Sequence, residues 1–248
     1  MIALSVEGLT KDFGGLRALD HVSIAVAAGE RLAIIGPNGA GKTTFFDIVT
    51  GLASPSAGRV MLFGHDATGL PVHSRARLGL GRTFQTTRLF SQLTVFDNVL
   101  LAVQASEAIR FTLHRPLTAY RHLFERARGL LEEWSLLDRS AATAKQLSYG
   151  EQRQLELVLA IAGKPKVLLL DEPTAGLSPA ETASVAAMIR RFPAEMTILL
   201  IEHDMDVAFD LCERTAVLFQ GRILAQGTTA EVRQNAEVTE IYLGTADA

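Results

Sequence analysis

Residues 36–44 read Gly-Pro-Asn-Gly-Ala-Gly-Lys-Thr-Thr and complete a G-x-x-x-x-G-K-T pattern, which is typical of a phosphate-binding loop. An apolar run from Leu32 to Ile35 precedes the pattern and a segment with helical character follows it. Glycines allow successive backbone N–H groups to turn toward a polyphosphate, and the positive end of the following helix dipole lies at the same place. The segment therefore predicts a site for a nucleoside triphosphate.

Each position of this phosphate loop has its own chemistry. Lys42 supplies a point positive charge, and Thr43 offers a hydroxyl to Mg²⁺. The alternative interpretation is a chance glycine turn, which the filled pattern and its strand and helix neighbours disfavour. The residues expected to contact the nucleotide here are Gly36, Pro37, Asn38, Gly39, Ala40, Gly41, Lys42, Thr43 and Thr44.

Two adjacent acids, Asp171 and Glu172, follow the apolar run 167–170. Adjacent side chains on an extended chain point to opposite sides, so the two carboxylates can have different roles. We expect Asp171 to hold Mg²⁺, partly through water, and Glu172 to activate the water that attacks a phosphoryl group. An acidic strand-to-helix turn without catalytic chemistry is the alternative.

Composition limits the possible partners. The chain has 248 residues, of which 48% are hydrophobic, so it can bury a substantial core. Its formal net charge of −3 argues against nucleic acid as the main partner. Cys212 is its one cysteine, which excludes an internal disulfide and favours a small buried hydrophobe. Since no apolar run is long enough to cross a bilayer, we expect a cytoplasmic protein that reaches the membrane through another subunit.

The periodicity of the chain predicts an α/β fold. Strand patterns occur at 2–6, 22–26, 59–63, 167–170 and 198–201, and the last two are continuous apolar runs typical of a buried parallel sheet. A helix is predicted from Thr43 to Gly51, and another over 179–191. Residues 95–162 have helical periodicity, with Pro116 separating two helices. A hairpin over 217–225 and a capping box starting at Thr228 complete the pattern.

The order and spacing of further motifs extend this prediction to a family. The segment Leu147-Ser-Tyr-Gly-Glu-Gln152, named the signature segment below, precedes the acidic pair. With the phosphate loop, Gln85 and His203, it makes the chain resemble the ATP-binding subunit of an ABC transporter over essentially its full length. The resemblance implies a P-loop NTPase core of ABC type with a β-rich N-terminal part and a helical subdomain insertion. It places the core at 1–90 and 160–227, the helical subdomain at 91–159 and a C-terminal helical tail at 228–248.

The resemblance also implies a head-to-tail dimer that encloses two ATP molecules. Each nucleotide lies between the phosphate loop of one subunit and the signature segment of the other. Ser148 and the N–H of Gly150 then contact the γ-phosphate, and Glu151 belongs to the same nucleotide-contacting segment. The second ATP-binding subunit can be a copy of this chain or a related one.

The remaining site residues are likewise implied by the resemblance. Gln85 contacts Mg²⁺ and the attacking water, and His203 contacts the γ-phosphate and orients Glu172. Phe13 stacks on adenine, with a core position as the alternative. ATP and Mg²⁺ are the expected cofactors.

Three positions depart from the commonest family pattern, namely Tyr149, Glu151 and Ser178. The added charge of Glu151 is expected to point away from the phosphates or to offset the helix dipole. These departures, together with 81–90 and the tail 241–244, resemble the branched-chain amino-acid importer subfamily. Related cassettes import urea or amides, so the transported solute stays open.

The leading hypothesis is an ATPase subunit that is peripheral on the cytoplasmic face of the inner membrane. It would act on integral permease subunits and, indirectly, on a solute-binding protein. A soluble ABC ATPase acting on ribosomes or DNA would require two cassettes, a long coiled-coil insertion or a basic surface. A P-loop kinase would leave the signature segment unexplained.

Overall fold

The computed structural model describes residues 1–83, 89–107 and 120–244, with side chains described as far as Ile241. In these ranges the chain forms two sheets and the helices that cover them. The expected helix break at Pro116 and the expected site residue Gln85 lie outside the described residues.

The larger sheet has six strands in the order β10-β9-β3-β8-β7-β6, of which all but β10 are parallel. Its inner strands are buried on both faces, which explains why their sequences are continuously apolar. Their bounds are β3 Arg31–Ile35, β6 Leu80–Arg82, β7 Val167–Asp171, β8 Thr197–Ile201, β9 Arg214–Phe219 and β10 Arg222–Thr228.

The second sheet is antiparallel, in the order β2-β1-β4-β5. Its strands are β1 Ile2–Phe13, β2 Leu16–Ala27, β4 Ala57–Leu62 and β5 His65–Asp66. The first two extend well beyond the predicted 2–6 and 22–26. Register irregularities such as that between Val6 and Leu9 interrupt the apolar alternation, so a pattern of period two stops before the strand does.

The helices are α1 Lys42–Thr50, α2 Val72–Leu78, α3 Val95–Ser106, α4 Arg121–Glu133, α5 Tyr149–Ala162, α6 Pro179–Arg190, α7 Met205–Leu211, α8 Thr229–Arg233 and α9 Ala236–Gly244. Gly51 ends α1 in the left-handed conformation with φ 83°, as predicted. The predicted capping box at Thr228 is present at the start of α8. The sequence pattern did not predict α2, which has one buried residue, Arg75.

Alternation along the parallel strands divides the core between the two faces of the larger sheet. Ala33 and Ile35 face a cluster that includes α3, α4 and α5, whereas Leu32 and Ile34 face α1 and the antiparallel sheet. Cys212 lies buried in the first cluster, and burial raises the pKa of its thiol to about 12. Within the described residues, every helix is too short or too polar to cross a membrane.

Candidate active site

The phosphate loop joins β3 to α1 and requires glycine at specific points. Gly36, Gly39 and Gly41 have φ values of 153°, 77° and 105°. A Cβ atom on Gly36 would lie 2.1 Å from the carbonyl oxygen of Leu218, and one on Gly41 would lie 2.6 Å from that of Ala18. The loop therefore packs closely against β9 and β2, which fixes its backbone where it leads into α1.

Lys42 begins α1 with its side chain nearly buried, at 6% exposure. Its Nζ donates to the carbonyl oxygens of Gly36 at 2.6 Å and Pro37 at 3.0 Å. Burial lowers the pKa of this ammonium group, and the charges of Glu172 and Asp171 act in the opposite direction. The lysine and the acidic pair therefore share one electrostatic environment, next to the exposed Thr43.

Asp171 ends β7 and forms a buried ion pair with Arg82, at 2.7 Å between Oδ2 and Nη2. The other terminal nitrogen of Arg82 donates to Asp47 of α1 at 2.6 Å. Burial raises the pKa of the Asp171 carboxyl, although the hydrogen bond from Arg82 lowers it. Arg82 thus connects the helix of the phosphate loop to the first acid, a role that sequence reasoning missed because Arg82 and Asp171 are far apart in the chain.

Glu172 has a left-handed backbone, with φ 48°, so the assumption of an extended chain through both acids is wrong. The strand ends at Asp171, and the turn rather than strand alternation separates the two carboxylates. Glu172 Oε1 lies 2.5 Å from Nε2 of His203. The Glu172 side chain is 9% exposed and that of His203 is 44% exposed, so the pair opens to solvent on the histidine side.

A third acid, Glu202, fixes the backbone around this pair. Its Oε1 accepts hydrogen bonds from the N–H of Thr174 at 3.0 Å and from its hydroxyl at 2.7 Å, while Oε2 accepts from the N–H of His203 at 3.3 Å. Burial raises the pKa of the Glu202 carboxyl. Sequence reasoning missed Glu202, although its position directly before His203 at the end of an apolar strand was a usable signal.

The signature segment forms the N-terminus of α5. Ser148 is the N-cap, and its hydroxyl accepts from the N–H of Glu151 at 3.2 Å. The Glu151 carboxylate folds back to accept from the N–H of Ser148 at 2.8 Å and from Arg139 Nε at 2.8 Å. These bonds, led by the one from the Ser148 N–H, lower the pKa of Glu151. The added acid therefore caps the helix, in line with the expected offset of the helix dipole.

Phe13, at the end of β1, has 53% of its surface exposed. This exposure excludes the alternative of a core position. Lys11 Nζ lies 4.9 Å from the ring centroid, a cation–π arrangement. The aromatic surface is thus available for stacking with a planar ligand.

The oxygen donors of this site fit Mg²⁺. Thr43 supplies a hydroxyl in the first turn of α1, and Asp171 supplies a carboxylate at the end of β7. Among the residues that the structure describes, His, Cys, Asp and Glu form no group of three or more suited to a metal. Mg²⁺ usually takes one or two protein oxygens and completes its shell with phosphates and water, so a hydroxyl and a carboxylate are suitable ligands.

An Arg82→Met protein is expected to lose about 3 kcal/mol of unfolding free energy, because Asp171 would keep a buried charge without its partner. The measurement is urea unfolding. Arg190→Met is the matched control, because Arg190 and its partner Asp210 are both about half exposed. This substitution should change stability far less. Equal effects of the two substitutions would contradict a special role for the buried pair.

Comparison with protein families is consistent with this geometry. Residues 19–175 match the family described as ABC transporter. Residues 222–248, from β10 to the end of the chain, match the family described as branched-chain amino acid ATP-binding cassette transporter.

Individual proteins of known name or structure are similar to this chain over nearly its whole length. The high-affinity branched-chain amino acid transport ATP-binding protein BraF of Pseudomonas aeruginosa is 40% identical over 250 residues, covering 98% of both chains. The lipopolysaccharide export system ATP-binding protein LptB of Escherichia coli is 33% identical, with the same coverage. The ADP conformation of MJ1267, an ATP-binding cassette of an ABC transporter, superposes with a TM-score of 0.86 at 31% identity, covering 98% of this chain and 99% of that one.

Proposed function

Because the chain belongs to the ABC transporter family of ATP-binding ATPases, we propose that it powers the import of branched-chain or related amino acids through a membrane permease. The observation that carries the ATPase chemistry is the 2.5 Å contact between Glu172 and His203 beside the buried Lys42. The amino-acid substrate is supported by the relative with 40% identity and by the match of residues 222–248.

Each group of site residues has its own role in phosphoryl transfer. The N–H groups of the phosphate loop and Lys42 bind the β- and γ-phosphates, and Phe13 stacks on adenine. Thr43, Gln85 and Asp171 would hold Mg²⁺, which neutralises phosphate charge when bound. Glu172 accepts the proton of the attacking water, and His203 fixes the orientation of that carboxylate through the contact with Oε1.

The working unit is a dimer with permease subunits. Ser148 and the Gly150 N–H, at the start of α5, contact the γ-phosphate of an ATP molecule held by the second ATP-binding subunit. The pair lies peripherally on the cytoplasmic face of the inner membrane, and a solute-binding protein delivers the cargo to the permease. ATP drives transport only if it binds the closed dimer more tightly than the open one.

Transport in the opposite direction is the second candidate, supported by the 33% identity to an export protein. Two observations favour branched-chain amino-acid transport over lipopolysaccharide export: the higher identity to BraF, and the match of the final 27 residues to the branched-chain family. Import of urea or amides and a non-transport role in solution are further outcomes that the following experiment distinguishes.

The test is uptake by the complete complex, purified in mild detergent with its permease subunits and reconstituted into vesicles containing ATP. With the solute-binding protein outside, labelled leucine is expected to accumulate, and an excess of unlabelled valine but not of urea should compete. The same complex carrying Glu172→Gln is the control and should not accumulate leucine. Competition by urea alone, or ATP-driven efflux, would contradict amino-acid import.

A further inference from the structure

Tyr149 and Ser178 are two of the three positions that depart from the commonest family pattern. They lie on either side of one contact between the signature segment and the loop 175–178, which precedes α6. Glu181, in the first turn of α6, bridges the two elements. Its Oε1 accepts from the Gly150 N–H at 3.2 Å, while Oε2 accepts from the Ser178 hydroxyl at 2.7 Å and the Ser178 N–H at 3.0 Å.

We propose that Glu181 is a positioning residue that occupies the Gly150 N–H and must release it before the partner's ATP can bind there. The inference rests on the proposed function, because it concerns the N–H that the γ-phosphate would use. The Glu181 carboxylate competes with the γ-phosphate for that N–H from within the subunit. This competition couples nucleotide binding at α5 to the loop 175–178.

The competition follows from the chemistry of the donor. An N–H group offers one hydrogen, and in the first turn of a helix it has no partner within the helix. Glu181 provides an anionic acceptor, which is the same type of acceptor that a γ-phosphate provides. Two anions cannot approach one donor closely without strong repulsion. The carboxylate must therefore move away when the nucleotide arrives.

Gly150 allows this close approach because it has no side chain. A Cβ atom at this position would lie 2.7 Å from Glu181 Oε1 and 2.8 Å from its Cγ. The missing side chain at position 150 thus lets the Glu181 carboxylate reach the Gly150 N–H inside one subunit.

Release of Gly150 would leave a second contact in place. The Tyr149 hydroxyl donates to the carbonyl oxygen of Ala175 at 3.3 Å, and Tyr149 Cε1 lies 3.4 Å from where a Cβ on Gly176 would be. The loop 175–178 therefore stays attached to α5 through Tyr149, while Glu181 swings about its bonds to Ser178. This arrangement gives both departures a common physical role.

The experiment measures ATP-dependent dimerisation by analytical ultracentrifugation in the Glu172→Gln background, which prevents hydrolysis. Adding Glu181→Gln keeps the size of the side chain and removes its charge. We expect the dimer dissociation constant at saturating ATP to fall about tenfold, because the competing hydrogen bond loses its charge and the repulsion between carboxylate and phosphate disappears. Gln154→Ala is the matched control, since it removes another bond between α5 and α6, to Ser184 at 2.8 Å, and it should not tighten the dimer.

The sign of the effect separates the alternatives. A purely structural role for Glu181 predicts a weaker dimer and a lower melting temperature, and either an unchanged or a weaker dimer would overturn the inference. Ser178→Ala should show only the loss of the N-cap of α6, without a tighter dimer. If the Glu172→Gln protein itself shows no ATP-dependent dimer, the proposed function fails first, and that result is visible before any Glu181 variant is added.

Discussion

Glu172→Gln is expected to reduce the ATP turnover number by about 10²- to 10⁴-fold, the usual contribution of a positioned base. The amide keeps the shape of the side chain beside His203 but cannot accept a proton from water. Binding of ATP should persist, because Lys42 and the phosphate loop are unchanged. The protein should therefore accumulate as a nucleotide-bound dimer, since the step that normally ends the closed state is blocked.

Turnover is measured by phosphate release, and the dimer by size-exclusion chromatography with light scattering in the presence of ATP and Mg²⁺. Glu213→Gln provides the control, because Glu213 is an exposed glutamate on the same chain. Its turnover should match the wild type. Wild-type turnover in Glu172→Gln would remove this residue from the role of base, and a monomer under saturating ATP would exclude the closed dimer.

Arg75→Met is expected to lower the unfolding free energy by about 4 kcal/mol. Arg75 is only 1% exposed, and in the described part of the chain it donates only to backbone carbonyls. Nη1 bonds Ile48 at 2.5 Å and Val49 at 2.7 Å, in the last turn of α1. Nη2 and Nε bond the carbonyl oxygens of Thr68 and Leu70, each at 2.9 Å.

Two effects oppose each other in this substitution. Burial lowers the pKa of the Arg75 guanidinium, so methionine avoids the cost of a buried charge. Methionine also leaves buried acceptors without donors, at about 1–3 kcal/mol each, and removes the cation at the negative end of α1. We expect the second effect to dominate. Because α1 begins at the phosphate loop, the affinity of the Arg75→Met protein for ATP should fall as well.

Urea unfolding measures the change, with ATP affinity followed by a fluorescent nucleotide analogue. Arg77→Met is the matched control, since it removes an exposed arginine from the same helix and should leave stability nearly unchanged. A loss of stability in Arg77→Met equal to that in Arg75→Met would mean that α2 needs arginine for propensity or charge, rather than for the bonds to α1.

The sequence by itself determined the features that depend on neighbours in the chain. A phosphate loop needs a strand, a glycine turn and a helix in succession, so residues 36–44 were recognisable from their own order. The boxes that begin α5 and α8 pair residues three positions apart, and Thr228 was predicted for the same reason. Buried parallel strands such as β7 and β8 were visible as unbroken apolar runs.

The tertiary structure decided which distant side chains meet. Arg75 and Arg82 are charged residues, which sequence patterns place at the surface, yet both side chains are buried because carbonyls or carboxylates of other elements surround them. Glu181 reaches Gly150 only because α6 packs against α5. Such pairs depend on the order of strands and the packing of helices. No local periodicity of the sequence depends on the distances between these side chains, so only the folded chain could reveal them.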